Sequence, residues 1–160
     1  MNEFCLVIEN KEPTLTSIQS VLTRAGILMH CVRTNREALD FMEQDPFRVS
    51  MIIMSTNLPD SDTTDFLKSL KEMGSLPHII LLAIYPDPRL VIEWMKAGAS
   101  DLVSVPFHEV ELSLAVQQGL ERYSLIENLN REIERTSQES IKTRIDIFKQ
   151  HLHNRSHHAA

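Results

Sequence analysis

The chain has 160 residues, of which 42% are hydrophobic and 24% are charged, a size that suits one domain with a full core and a modest appendage. A formal net charge of -6 and a pI near 5.6 argue against the basic surface used for non-specific binding to nucleic acid. Cys5 and Cys31 each lie in an apolar run, so we expect buried, reduced thiols and no disulfide framework. No apolar run approaches the roughly 18 residues of a spanning helix, and no basic leader is seen, so we expect a cytoplasmic protein without membrane contact.

Short apolar runs alternate with amphipathic helical patterns over residues 4 to 122. The runs are typical of strands buried on both faces. Because parallel neighbours need crossover connections, five strands alternating with five helices predict an α/β fold with a doubly wound, five-stranded parallel sheet. The predicted strands are 4–8, 27–32, 51–54, 78–84 and 102–105, and the predicted helices are 14–25, 35–43, 64–73, 89–97 and one from about 109.

The functional crevice of such a sheet lies beyond the carboxyl ends of its strands, where the strand order reverses. Residues at or just after the predicted strand ends are therefore the candidates for a functional site. They are Glu9, Asn10, Ser55, Thr56, Asn57, Leu82, Ala83 and Val105.

The composition changes after Arg122, since residues 124–155 contain neither glycine nor proline. Apolar residues in this stretch are spaced as on one side of a helix. The seam is interrupted over 134–140, so a strict heptad is not sustained, and we expect a hinge or turn there. The apolar residues are Leu125, Ile126, Leu129, Ile133, Ile141, Ile145, Phe148 and Leu152.

Four short motifs lie at the ends of predicted strands. Glu9-Asn10 ends the first strand, Asn57-Leu58-Pro59 follows the third, Ala97-Gly98-Ala99-Ser100-Asp101 precedes the fifth, and Val105-Pro106-Phe107 follows it. Together they make residues 4 to 122 resemble the receiver domain of bacterial two-component response regulators. The resemblance implies the flavodoxin-like, receiver-type version of the sheet.

A receiver of this family holds Mg²⁺ with two carboxylates and accepts a phosphoryl group on an aspartate. In this sequence the acidic pair aligns with Glu9 and Asn10, so one of the two carboxylates is replaced by a neutral amide. The acceptor aligns with Ser55, whose hydroxyl is a far weaker nucleophile unless a base activates it. The resemblance therefore implies that no acyl phosphate forms at this position.

A receiver also contacts the phosphoryl group through a hydroxyl and a lysine, which align here with Leu82 and Val105. Asn57 is kept, but its position supplies only a backbone carbonyl. We therefore expect a degenerate phosphorylation pocket, a pseudo-receiver with no catalytic residue, no metal and no cofactor. The alternative is residual phosphotransfer through a displaced carboxylate, Asp60 or Asp62.

Two groups of polar residues are interpreted as solvated rather than metal-binding. One is an acidic rim near the crevice, and the other is a histidine-rich, frayed tail that imidazole chemistry could otherwise make a metal site. The residues are Glu9, Glu12 and Asp60 in the rim, and His151, His153, His157 and His158 in the tail.

We expect the chain to act as a binding module, through a protein partner or as a homodimer. The interaction candidates are the apolar seam, Tyr85 and Trp94, although Trp94 is as easily explained by packing within the domain. These patterns divide the chain into a receiver-like domain over 1–122, a helical extension over 123–153 that is a candidate coiled coil, and a disordered tail over 154–160. An alternative is the N-terminal regulatory part of a longer signalling protein.

Overall fold

Five strands alternate with five helices in the computed structural model of the protein, which describes residues 4–45, 48–60, 62–75 and 77–157. Most predicted bounds agree with the observed ones to within one or two residues. The strands are β1 (Phe4–Ile8), β2 (Leu28–Val32), β3 (Met51–Ser55), β4 (His78–Ala83) and β5 (Asp101–Ser104). The helices are α1 (Glu12–Arg24), α2 (Asn35–Gln44), α3 (Thr63–Glu72), α4 (Pro88–Ala97) and α5 (Glu109–His157).

The strands form one parallel sheet in the order β2-β1-β3-β4-β5. Val7 in β1 pairs with Cys31 on one side and with Ile53 on the other, and Ile53 pairs in turn with Ile80. The direction of winding reverses at β1, so the switch point lies between β1 and β3. The predicted doubly wound, flavodoxin-like fold is confirmed.

Alternate side chains of each strand enter two separate cores, because successive residues of a strand point to opposite faces. The α2–α4 core combines strand residues such as Leu6, Ile52 and Leu81 with residues of α2, α3 and α4. The α1–α5 core combines the intervening strand residues with α1 and the first part of α5. Its members include Cys5, Val7, Met51, Ile53, Ile80, Leu82 and Val103 from the strands, Ile18, Val21 and Leu22 from α1, and Leu112, Ala115 and Val116 from α5.

Local capping explains where several helices begin and end. The Thr34 side chain accepts a hydrogen bond from the Glu37 N–H, and Asp62 and Asp87 cap α3 and α4 in the same way. Gly26 follows α1 with φ +70, a left-handed conformation that glycine adopts without a steric penalty. These short-range features stabilise the observed helix ends, which agree closely with the bounds predicted from apolar spacing.

The chain separates into two compact units, Met1–Tyr123 and Ser124–Ala160, a boundary one residue after the predicted one. The hinge or turn predicted over 134–140 is wrong, since α5 is helical throughout that stretch. The stretch is polar but free of helix breakers, and Arg135 pairs with Glu139 one turn later at 3.4 Å. Residues 154–157 are also helical, so the predicted tail does not begin at 154, while 158–160 with His158 lie outside the described residues.

Two predictions about single side chains need correction. Trp94 is only 7% exposed and belongs to the α2–α4 core, so its ring is not available to a partner. Cys5 is buried, but Cys31 is only half-buried because β2 is an edge strand. Burial raises the pKa of both thiols, and both are free cysteines.

Among the described helices, none is both long and apolar enough to span a membrane.

Candidate functional site

The residues predicted for the site converge at the carboxyl ends of the central strands. Ser55 ends β3 and pairs with Leu82 of β4, and Leu82 pairs with Val103 two residues before Val105. Alternation along the strands places Glu9, Ser55, Leu82 and Val105 on the α1–α5 face of the sheet. Backbone bonds hold this edge together, including the Val105 N–H to the Ala83 carbonyl at 2.8 Å. These four residues, at or directly after the ends of four strands, thus lie on one face at the carboxyl edge of the sheet, where the crevice of such a sheet lies.

Glu9 is buried, only 2% exposed, at the start of the turn into α1, so the prediction of a solvated side chain is wrong for this residue. Its Oε1 accepts hydrogen bonds from the backbone N–H groups of Asn10 at 2.8 Å and Lys11 at 2.9 Å. Hydrogen bonds to an ionised acceptor are among the stronger ones in proteins. Glu9 therefore holds the β1–α1 turn, while the Asn10 side chain is exposed.

The hydroxyl groups at the end of β3 also bond to the backbone. Ser55 is buried, and its Oγ accepts a long hydrogen bond of 3.4 Å from the Asn57 N–H. The Thr56 hydroxyl donates to the Leu82 carbonyl at 3.3 Å. Asn57 is exposed. Ser55 thus closes a short turn at the end of the strand.

The remaining wall of the crevice is apolar. Leu82 is fully buried in the α1–α5 core, and Val105 packs against the same core with Phe107 and Leu15. Neither Leu82 nor Val105 can donate a hydrogen bond from its side chain or supply a positive charge. This wall therefore offers a bound anion no electrostatic stabilisation.

The comparisons with known proteins agree with this architecture. Residues 5–117 match the family model described as "Response regulator receiver domain". The chain belongs to the response regulator receiver family. A receiver domain of an HD domain-containing protein from Pseudomonas fluorescens Pf-5 has a TM-score of 0.70 at 25% identity, covering 78% of this chain and 98% of that one. The "beryllofluoride-activated NtrC4 receiver domain dimer" has a TM-score of 0.68 at 22% identity, covering 75% and 98%.

Among curated proteins, the receiver is similar to the regulatory protein AtoC of Escherichia coli (strain K12), with 26% identity over 121 residues. That match covers 75% of this chain but 26% of AtoC. The chain spans about half the length of the next curated relatives. The predicted family is confirmed, and the chain carries a receiver domain of two-component signal transduction.

The Mg²⁺ that receivers of this family use does not fit the donors present in this one. Mg²⁺ prefers carboxylate oxygens arranged octahedrally. One Glu9 oxygen already accepts two backbone bonds, Asn10 offers only a neutral amide, and Ser55 offers a hydroxyl. Asp62 caps α3 by accepting from the Asp65 N–H at 3.2 Å. Across the described parts of the chain, no group of three or more His, Cys, Asp or Glu side chains could hold a metal ion.

The interaction candidates occupy other places in the receiver and its extension. Tyr85 is 88% exposed in the loop between β4 and α4, where its φ is +40. The apolar seam lies in the second unit, and its seven predicted interaction residues are each 47% to 64% exposed. These seven residues are Ile126, Leu129, Ile133, Ile141, Ile145, Phe148 and Leu152.

Sequence analysis missed a packed histidine at the opposite end of the sheet. His78 begins β4, and within the described residues its Nε2 is buried without a hydrogen-bond partner. Burial lowers the pKa of His78, the charge of Arg122 lowers it further, and Asp101 opposes both. Gly119 of α5 packs against the ring beside Cδ2 and Nε2. The only sequence signal was a glycine within an amphipathic helix.

Proposed function

We propose that this receiver domain acts without phosphorylation at its acceptor position and works as a binding module rather than as an enzyme. The proposal rests on the side chains near Ser55. Ser55 pairs with Leu82, and Leu82 and Val105 belong to the same apolar core on that face of the sheet. An acyl phosphate needs a carboxylate, and a serine hydroxyl needs an activating base to attack phosphorus. A phosphoryl dianion against two apolar side chains would also lose its hydration without gaining a partner.

Phosphorylation is tested by incubating the full chain with acetyl phosphate and Mg²⁺ and measuring its intact mass. A receiver with an intact acceptor aspartate serves as the positive control. We expect no added phosphoryl group. A phosphoryl group that is lost in mild alkali would overturn the proposal, and an Asp60→Asn/Asp62→Asn variant would then show whether a displaced carboxylate accepts it.

The binding activity is assigned to a second copy of the chain through residues 124–157. The residues of the apolar seam form an exposed stripe along this helix. An exposed apolar stripe of this length lowers solubility unless another surface covers it. The net charge of -6 favours a protein partner over nucleic acid. A solved receiver with the same fold is described as a dimer, which supports association as a property that this fold allows.

Association is tested by light scattering on the full chain, for which we expect the mass of two chains. Ile133→Asp places a charge on the stripe and should reduce the mass to that of one chain. Asn128→Asp adds the same charge to an exposed position on the opposite side of the helix and should leave the mass unchanged. A wild-type mass of one chain at high concentration would contradict this part of the proposal.

A further inference from the structure

We infer that two copies of residues 124–150 pair in antiparallel orientation, about a two-fold axis that passes beside Ser137 at the middle of this range. The inference rests on the proposed function, because it assumes that the partner of the stripe is a second copy. It adds the direction of pairing, which the proposed function leaves open. The symmetry of the stripe, the residues within it and the charges beside it support this direction.

Six of the apolar residues are placed symmetrically about Ser137, whereas Leu125 and Leu152 have no apolar counterpart. Ile133 and Ile141 lie four residues before and after it, Leu129 and Ile145 eight residues, and Ile126 and Phe148 eleven residues. An antiparallel two-fold axis at Ser137 makes each of these pairs a layer of the interface, with one member from each copy. In these three layers apolar residues meet only apolar partners, and the two small Ser137 side chains meet at the centre.

The interruption over 134–140 has a simple explanation in this arrangement. Ile126, Ser137 and Phe148 recur every eleven residues, or about 3.67 residues per turn, so the stripe stays on one side of a helix without a heptad. The helix is continuous through this region. The polar centre of the stripe is therefore the middle of the interface, where small side chains allow close approach, and not a break in the seam.

Two polar residues within the stripe discriminate between the directions. Arg144 lies eleven residues after Ile133, and Asn130 lies eleven before Ile141, so both occupy the stripe and both are exposed. A parallel, in-register pair would bring the two Arg144 guanidinium groups together across the interface, where like charges repel. The antiparallel pair instead places Arg144 opposite Asn130, whose amide oxygen can accept its hydrogen bonds.

The charges beside the stripe favour the same direction. Residues 124–136 carry three glutamates and two arginines, while the mirrored residues 138–150 carry two acidic and three basic residues. Antiparallel pairing places the acidic part of one copy beside the basic part of the other. In the layer where Ile126 meets Phe148, Glu127 and Lys149 follow them on the same flank, so opposite charges become neighbours. Parallel pairing would place the acidic part of one copy beside the acidic part of the other, and likewise the two basic parts.

Disulfide crosslinking in the full chain tests the direction, in a Cys31→Ser background that retains only the buried native thiol of Cys5. Mild oxidation of a mixture of Leu129→Cys and Ile145→Cys chains should link residue 129 to residue 145. Leu129→Cys alone should not link to itself. A 129–129 link would overturn the antiparallel inference while leaving self-association intact.

Ser137→Cys separates failure of the inference from failure of the proposed function, because residue 137 meets its own copy in either direction. Absence of a 137–137 link together with a one-chain mass would overturn both. A distance between spin labels at Ser124→Cys of about 40 Å is expected for the antiparallel pair, from 26 residues at 1.5 Å each. A distance of about 10 Å, the separation of parallel neighbouring helices, would overturn the inference.

Discussion

Gly119 of α5 packs closely against Cδ2 and Nε2 of the His78 imidazole at the start of β4. A Cβ added at Gly119 would lie 2.8 Å from Cε of Met51 and closer still to the His78 ring. Side-chain carbons do not approach other atoms this closely, so the helix can take this position only because residue 119 has no side chain. This close contact allows α5 to pack against the sheet.

Gly119→Ala should therefore destabilise the receiver, although alanine is the better helix former by about 1 kcal/mol. We expect the free energy of unfolding to fall by about 1–3 kcal/mol, the usual cost of overpacking a core, measured by urea denaturation. Ser113→Ala at an exposed position of the same helix is the control and should change little. A Gly119→Ala variant as stable as the wild type would contradict the packing argument.

His78 should make the receiver less stable in mild acid. Because its folded-state pKa is lowered from the ordinary 6.5, the unfolded chain binds the proton more readily than the folded one as the pH falls through 6.5. The free energy of unfolding should decrease below that pH, by at most about 1.4 kcal/mol for each pH unit. Asp101 and Arg122 are the charges that act on the ring, with opposite effects on its pKa.

The pH dependence is measured by urea denaturation between about pH 7.5 and pH 5, a range that spans the ordinary histidine pKa. His78→Gln should flatten the dependence, whereas His108→Gln at an exposed loop position should leave it unchanged. Equal slopes in the wild type and the His78→Gln variant would show that another group is responsible.

Glu9 should contribute to stability through the β1–α1 turn rather than through metal binding. Glu9→Ala leaves the Asn10 and Lys11 N–H groups without their acceptor, and we expect a loss of about 1–3 kcal/mol in the free energy of unfolding. Glu9→Gln keeps a side-chain oxygen and should lose less. Glu43→Gln on the exposed side of α2 controls for the change in charge. The wild-type melting temperature should not rise on adding Mg²⁺, and a rise that Glu9→Gln abolishes would show metal binding.

Restoring phosphorylation should require the whole set of family residues and not the acceptor alone. We expect Ser55→Asp to remain unmodified by acetyl phosphate, since Leu82 and Val105 still provide no hydrogen bond or charge. The combined variant Asn10→Asp, Ser55→Asp, Leu82→Thr and Val105→Lys should gain one phosphoryl group by intact mass. Full modification of Ser55→Asp alone would show that the apolar wall does not limit the reaction.

The sequence by itself determined the fold class, most element bounds and the family, because these depend on hydrophobic periodicity, capping residues and short motifs. It also indicated which side chains follow the strands, since strand ends can be read from local patterns. Period-two alternation then brings Glu9, Ser55, Leu82 and Val105 to one face of the sheet. The residues at this edge of the sheet could therefore be predicted from the sequence.

The tertiary structure alone decided whatever depends on neighbours distant in the chain. Trp94 was equally compatible with a surface and a core, and only the arrangement of α2, α3 and α4 buried it. His78 and Gly119 are 41 residues apart, so no local pattern could predict that they pack against each other. The polar stretch over 134–140 stayed helical because backbone hydrogen bonding needs no apolar contact, whereas the predicted hinge was inferred from missing apolar residues alone.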